Sequence, residues 1–162
     1  MSLALIPGSF DPMTLGHLAL VEQVLAEYDE VVVAVMVNDQ KTTLFDMETR
    51  VEIARRTVAH LSRVRVISDR GMLIDLFDRL GADAVCKGYR NDTDYAYEMK
   101  MAKWNEEHNP RFRTVLYRSE GKLSELSSTE VRARLANREL PDGLVAPDAI
   151  PLLLTRAEEG AL

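Results

Sequence analysis

Residues 3–6, Leu-Ala-Leu-Ile, are an apolar run without polar alternation, and the run breaks at Pro7 and Gly8. So short and uniform a stretch predicts a parallel strand covered on both faces. From Thr14 the period changes: Leu18, Val21, Leu25 and Tyr28 fall on one helical stripe with Val24 beside it, which predicts a helix with Thr14 as its N-cap. The same switch recurs down the chain. Strands are predicted over 30–37, 64–67, 82–86 and 114–117, and helices over 46–61 (behind Asp46 as cap), 73–80, 92–109 and 128–136. Pro141, Pro147 and Pro151 interrupt the tail, where Leu152, Leu153 and Leu154 predict a terminal helix starting near Pro147. Strands alternating with helices imply a five-stranded parallel sheet with helices on both faces and right-handed crossovers. Ligands of such sheets bind beyond the carboxyl ends of the strands.

Composition narrows the class. The chain has 162 residues, 46% of them hydrophobic, enough for one α/β domain spanning 1–162 with a sizeable core. A net charge of −6 argues against generic attraction to nucleic acid, so small anionic ligands held by a few focused cations are the expected partners. The single cysteine, Cys86, sits in an apolar run; it excludes an internal disulfide and favours a reducing, cytoplasmic location. No stretch approaches the roughly 20 apolar residues of a membrane span. No His, Cys or carboxylate cluster has metal-site spacing, and the first turn lacks the G-x-G-x-x-G of a dinucleotide oxidoreductase.

The first turn has chemistry of its own. Pro7 and Gly8 are followed by Ser9 and Phe10, and Gly16 and His17 fall in the first turn of the next helix. Free N–H groups and the helix dipole favour an anion there, and a histidine adds a donor that can follow it. At the fourth strand, Lys87-Gly88-Tyr89-Arg90 places a glycine between cations directly after the strand end, where the backbone can come close to a phosphate and the cations offset its charge.

Pro-Gly-Ser-Phe-Asp-Pro followed by Thr-Leu-Gly-His resembles the (H/T)xGH signature of the nucleotidyltransferase superfamily, and the form with threonine first resembles the bacterial phosphopantetheine adenylyltransferases. Lys41 in Gln-Lys-Thr-Thr, Leu73 in Gly-Met-Leu-Ile-Asp, the segments Cys86–Arg90 and Asp94–Met99, and Leu126-Ser-Ser-Thr with Val131-Arg132 resemble further motifs of the same family. The resemblance implies an activity: reversible transfer of the adenylyl group from ATP to 4′-phosphopantetheine, giving dephospho-coenzyme A and pyrophosphate. It implies Mg²⁺ arriving with ATP, no protein-held metal, and a homohexamer.

It also implies roles for residues. His17 would stabilise the transition state, and Lys41 would contact the acceptor and neutralise the transferring phosphate. Ser9, Lys41, Leu73 and Lys87 would bind the acceptor. The ATP side would draw on Ser9, Phe10, His17, Gly88, Tyr89, Arg90, Glu98 and the run Leu123, Ser124, Glu125, Leu126, Ser127, Ser128 and Thr129. Lys87 stands where the family has arginine, which exchanges a bidentate fork for a point charge. Arg50 resembles a structural position and stays outside the expected site. Two alternatives remain: a relative with another phosphorylated acceptor, and a non-catalytic nucleotide-binding regulator.

Overall fold

The computed structural model describes residues 1–38, 40–119 and 126–161. Five parallel strands, β1 (Leu3–Gly8), β2 (Glu30–Met36), β3 (Val64–Asp69), β4 (Ala84–Tyr89) and β5 (Thr114–Arg118), lie in the order β3-β2-β1-β4-β5. Helices α1 (Leu15–Leu25), α2 (Met47–Val58), α3 (Leu73–Leu80) and α4 (Asp92–His108) connect them, and α5 (Ser128–Ala136) and α6 (Ile150–Arg156) follow. This is the expected Rossmann-like α/β architecture. The chain first winds outward from β1 through β2 to β3 and then crosses to β4 on the other side of β1, so the direction of winding reverses between β1 and β4.

The uniform apolar strands divide by parity, because successive side chains point to opposite faces. Ala4, Ile6, Val31, Val33, Val35, Ala84 and Cys86 pack on one side with residues of α1, α2 and α5. Leu3, Leu5, Val32, Ala34 and Val85 pack on the other with Leu76 and Phe77 of α3 and with Phe112. Both faces are covered, which is why no polar alternation marks these strands. The tail joins the first layer: a 3₁₀ turn at Pro147–Ala149 leads into α6, and Leu144, Val145, Ala149 and Leu153 are buried there. The Leu15 N–H donates to the Leu144 carbonyl at 2.8 Å, tying this segment to the start of α1.

Two of the boundaries that differ from expectation bear on the cleft. Strand β1 runs through Pro7 to Gly8 because it stays paired with β2 as far as Gly8 opposite Val35, while its pairing with β4 ends at Leu5 opposite Val85. Proline lacks the N–H that pairing on both sides would use, and beyond Leu5 the strand is paired on one side only. Strand β4 likewise runs on to Tyr89, held by β5, so Lys87, Gly88 and Tyr89 form the last turn of the strand rather than a loop after it.

Candidate active site

Because β1 and β4 part after Leu5 and Val85, the sheet opens at its carboxyl end into a cleft of about 890 Å³. The floor is the turn from Gly8 to Thr14. A Cβ on Gly8 would lie 3.0 Å from two carbons of the Phe10 ring, so glycine is what lets that ring fold back over the strand end. Phe10 is buried and holds a left-handed backbone at φ 46°, a strained conformation for a non-glycine residue that surrounding contacts must enforce.

Those contacts converge on the turn from three directions. The guanidinium of Arg50, a buried residue of α2, donates to the Ser9 carbonyl at 2.9 Å and to the Phe45 carbonyl at 3.1 Å. The Asp11 carboxylate, also buried, accepts the N–H groups of Leu44 at 2.8 Å and Phe45 at 3.0 Å. From α5, Arg132 donates to the Asp11 carbonyl at 2.7 Å, and the Ser128 hydroxyl donates to the Pro12 carbonyl at 2.7 Å across a cis Asp11–Pro12 peptide. Arg50 is thus structural, as expected, and what it holds is the backbone of Ser9.

Thr14 caps α1 as expected, and it does so reciprocally with His17. The His17 N–H donates to Thr14 Oγ1 at 3.3 Å, and the Thr14 N–H donates to His17 Nδ1 at 2.9 Å. A backbone N–H can only donate, so Nδ1 must present its lone pair and the ring proton sits on Nε2. Burial, helped by the Arg90 guanidinium, pushes the His17 pKa down to about 4. Near neutrality His17 is therefore a neutral Nε2–H donor, its ring packed edge-on against Phe10 at 5.0 Å.

Ser9, Phe10, His17, Lys41, Leu73, Lys87, Gly88, Arg90, Glu98, Leu126, Ser127, Ser128 and Thr129 all line the one cleft. Tyr89 does not: its ring packs edge-on against Tyr95 at 5.0 Å. Leu123, Ser124 and Glu125 lie outside the described residues. The cations are partly engaged already. Lys87 Nζ is 2.6 Å from Glu98 Oε2, and Arg90 contacts Asp94 at 3.3 Å. The hydroxyls of α5 are also engaged: Ser127 accepts the Glu130 N–H at 3.1 Å, Ser128 holds Pro12, and Thr129 accepts from Arg132 at 3.1 Å. What the start of α5 offers an anion is thus its first-turn N–H groups more than its side chains. Neither Asp11 nor Arg132 can be given a role from the sequence, although both lie inside motifs that resemble the family's. The only trace of Asp11 is its place between Phe10 and Pro12, which says nothing of a partner 33 residues away.

An open parallel sheet, with an anion-receptive turn and a histidine donor at its reversal point, defines an α/β nucleotidyltransferase. The cytidylyltransferase-like family model matches residues 5–134. A solved structure from Vibrio parahaemolyticus, assigned as a nicotinate-nucleotide adenylyltransferase, superposes with a TM-score of 0.69 over 95% of this chain and 99% of its own, at 19% identity, and so shares the fold. A phosphopantetheine adenylyltransferase of Clostridium botulinum is 36% identical over 158 residues, covering 98% of this chain and 99% of the relative. A protein of the same name from Limosilactobacillus reuteri is 41% identical over 129 residues, 80% of this chain and 75% of the relative. The chain belongs to the phosphopantetheine adenylyltransferase family of nucleotidyltransferases.

Proposed function

We propose that this chain transfers the adenylyl group of ATP to 4′-phosphopantetheine, producing dephospho-coenzyme A and pyrophosphate. The observation that carries this reading is His17, fixed as a neutral Nε2–H donor at the helix start on the cleft floor, beside Lys41, Lys87 and Arg90. An oxygen of the acceptor phosphate attacks the α-phosphorus of ATP; the bond to the bridging oxygen breaks, and pyrophosphate leaves with its electron pair. The attacking oxygen is already ionised, so no protein nucleophile or general base is required. The residues position two anions and offset the charge that builds on the α-phosphoryl oxygens. His17 donates to that charge, Lys41 bridges acceptor and transferring group, and the first-turn N–H groups of α5 with Arg90 hold the remaining ATP phosphates. Ser9 and Phe10 meet both substrates, Leu73 the pantetheine arm, and Lys87 the acceptor phosphate.

Magnesium enters this reading as the counter-ion of ATP. Among the described residues no group of three His, Cys, Asp or Glu is arranged to hold a metal ion. Asp11, Asp94 and Glu98 at the cleft are engaged by Leu44 and Phe45, by Arg90 and by Lys87. These residues do not fit a protein-held ion.

The same reading makes the protein a cytoplasmic homohexamer with residues 1–162 as one domain. In support of the assembly, α4 leaves Tyr95, Met99, Met101 and Trp104 exposed. No helix among the described residues is long and apolar enough to cross a membrane.

An acceptor panel with ATP and Mg²⁺, read as pyrophosphate release, tests the function. The expected result is release with 4′-phosphopantetheine. Release only with nicotinamide mononucleotide or glycerol phosphate would reassign the acceptor, and no release with any acceptor would leave a nucleotide-binding regulator.

A further inference from the structure

Asp11 is a charged side chain with 5% of its surface exposed, set in the turn that forms the cleft floor, and the mechanism above gives it no task. Its hydrogen bonds are long-range. Both carboxylate oxygens are spent on consecutive backbone N–H groups, Leu44 to Oδ2 at 2.8 Å and Phe45 to Oδ1 at 3.0 Å. Those groups end the segment that carries Lys41. At the segment's other end the Lys41 N–H donates to the Asn38 carbonyl at 2.9 Å. The Lys41 backbone is therefore closed on one side by its own turn and on the other by Asp11. Asp11 is itself steadied from α5, where Arg132 Nη1 lies 2.7 Å from its carbonyl and 3.8 Å from Oδ2.

We propose that Asp11 is the positioning residue for Lys41, its carboxylate clamping the N–H groups of Leu44 and Phe45 so that the Lys41 ammonium is presented to the reacting phosphates. The inference rests on the adenylyltransfer reading, which places Lys41 at the reaction. The physical reason is entropic. Lysine is a flexible four-carbon stem on an exposed loop, and its charge assists transfer only if its backbone anchor is fixed. A carboxylate gripping two adjacent N–H groups fixes the peptide plane between them as well as its distance. Asparagine in its place keeps one acceptor oxygen and turns an N–H donor toward the other N–H.

The test is a double-mutant cycle on pyrophosphate release with D11N, K41A and the pair. D11N is expected to lower kcat by about ten- to a hundredfold, as a misplaced positioning group does. In the K41A background the same change is expected to cost less than about threefold, because the residue it serves has gone. Losses that multiply instead would show Asp11 acting on the turn in general and would overturn the proposal, as would a K41A enzyme of undiminished rate. Should D11N fail to fold, amide hydrogen exchange on the unsubstituted protein decides. Leu44 and Phe45 are expected to exchange far more slowly than Thr42 and Thr43, and equal exchange at all four would overturn the clamp. Failure of the functional reading looks different: no acceptor would release pyrophosphate even with the unsubstituted protein.

Discussion

Lys87→Ala is expected to do two separable things, because the ammonium lies 2.6 Å from Glu98 Oε2 and that buried oxygen meets no other donor among the described residues. The first effect is on stability. The two side chains are 27% and 15% exposed, which places the pair between a surface ion pair, worth about 0–1 kcal/mol, and a fully buried one, whose disruption costs about 3–5 kcal/mol. About 2 kcal/mol is the corresponding loss, or roughly 4–8 °C in Tm for a chain of this size. The second effect is on binding, since losing a charge-assisted hydrogen bond to the acceptor phosphate raises its KM roughly ten- to a hundredfold. Glu98→Gln in the same chain separates them. The double variant carries no stranded charge, so its Tm is expected to recover while KM for phosphopantetheine stays high. Differential scanning fluorimetry and pyrophosphate release against acceptor concentration give the two readouts. If Lys87→Ala leaves Tm within a degree of the parent, the ion pair contributes nothing to stability; if the double variant recovers both Tm and KM, Lys87 acted only through Glu98. Either result refutes the reasoning.

His17 gives a prediction in pH. Its folded pKa is depressed from 6.5 to about 4, so the unfolded chain takes up the proton first, and the contribution present above pH 6.5 is lost as pH falls toward 4. Denaturant titrations of the parent and His17→Gln between those limits are expected to differ by up to about 3 kcal/mol, and imidazole ¹⁵N spectra should show a lone pair on Nδ1 at pH 7. Gly8→Ala would drive a Cβ to 3.0 Å from a Phe10 ring that is itself buried, at an overpacking cost of about 1–3 kcal/mol measurable by urea unfolding. Burial pushes the Cys86 thiol up to about 11, so the native protein at pH 8 is expected to resist a thiol reagent that labels it fully in urea.

Much of this could be read from the chain before its structure. Every predicted strand and helix exists, because each rests on a local pattern: an unbroken apolar run where both faces are covered, a helical stripe behind a capping Thr14 or Asp46. The misplaced ends of β1 and β4 are non-local. Pro7 and Lys87 stay extended because a neighbouring strand continues beside them, and nothing in their own sequence says so. The site divides the same way. The shared position of His17 and Ser9 at the cleft is legible because turn and helix start adjoin in sequence. The resemblance sends Lys87 and Glu98 to different ligands, and their pairing depends on how α4 leaves the end of β4. Tyr89 shared a motif with cleft residues yet packs on Tyr95 instead.

The hydrogen bond from Leu15 to Leu144 bears on how the protein is made. A ribosome delivers β1, its turn and α1 well before Leu144, whose carbonyl receives the first N–H of α1. That later segment brings Leu144, Val145 and Leu153, which close the layer containing Met13 and Val21. Until then the nascent chain carries an uncovered apolar face beside the cleft floor, the kind of surface that chaperones engage and that aggregates when synthesis stalls. A gene fragment ending at residue 134, where the family model stops, would freeze that condition permanently. The start of α1 thus takes its first partner from a segment made more than a hundred residues later.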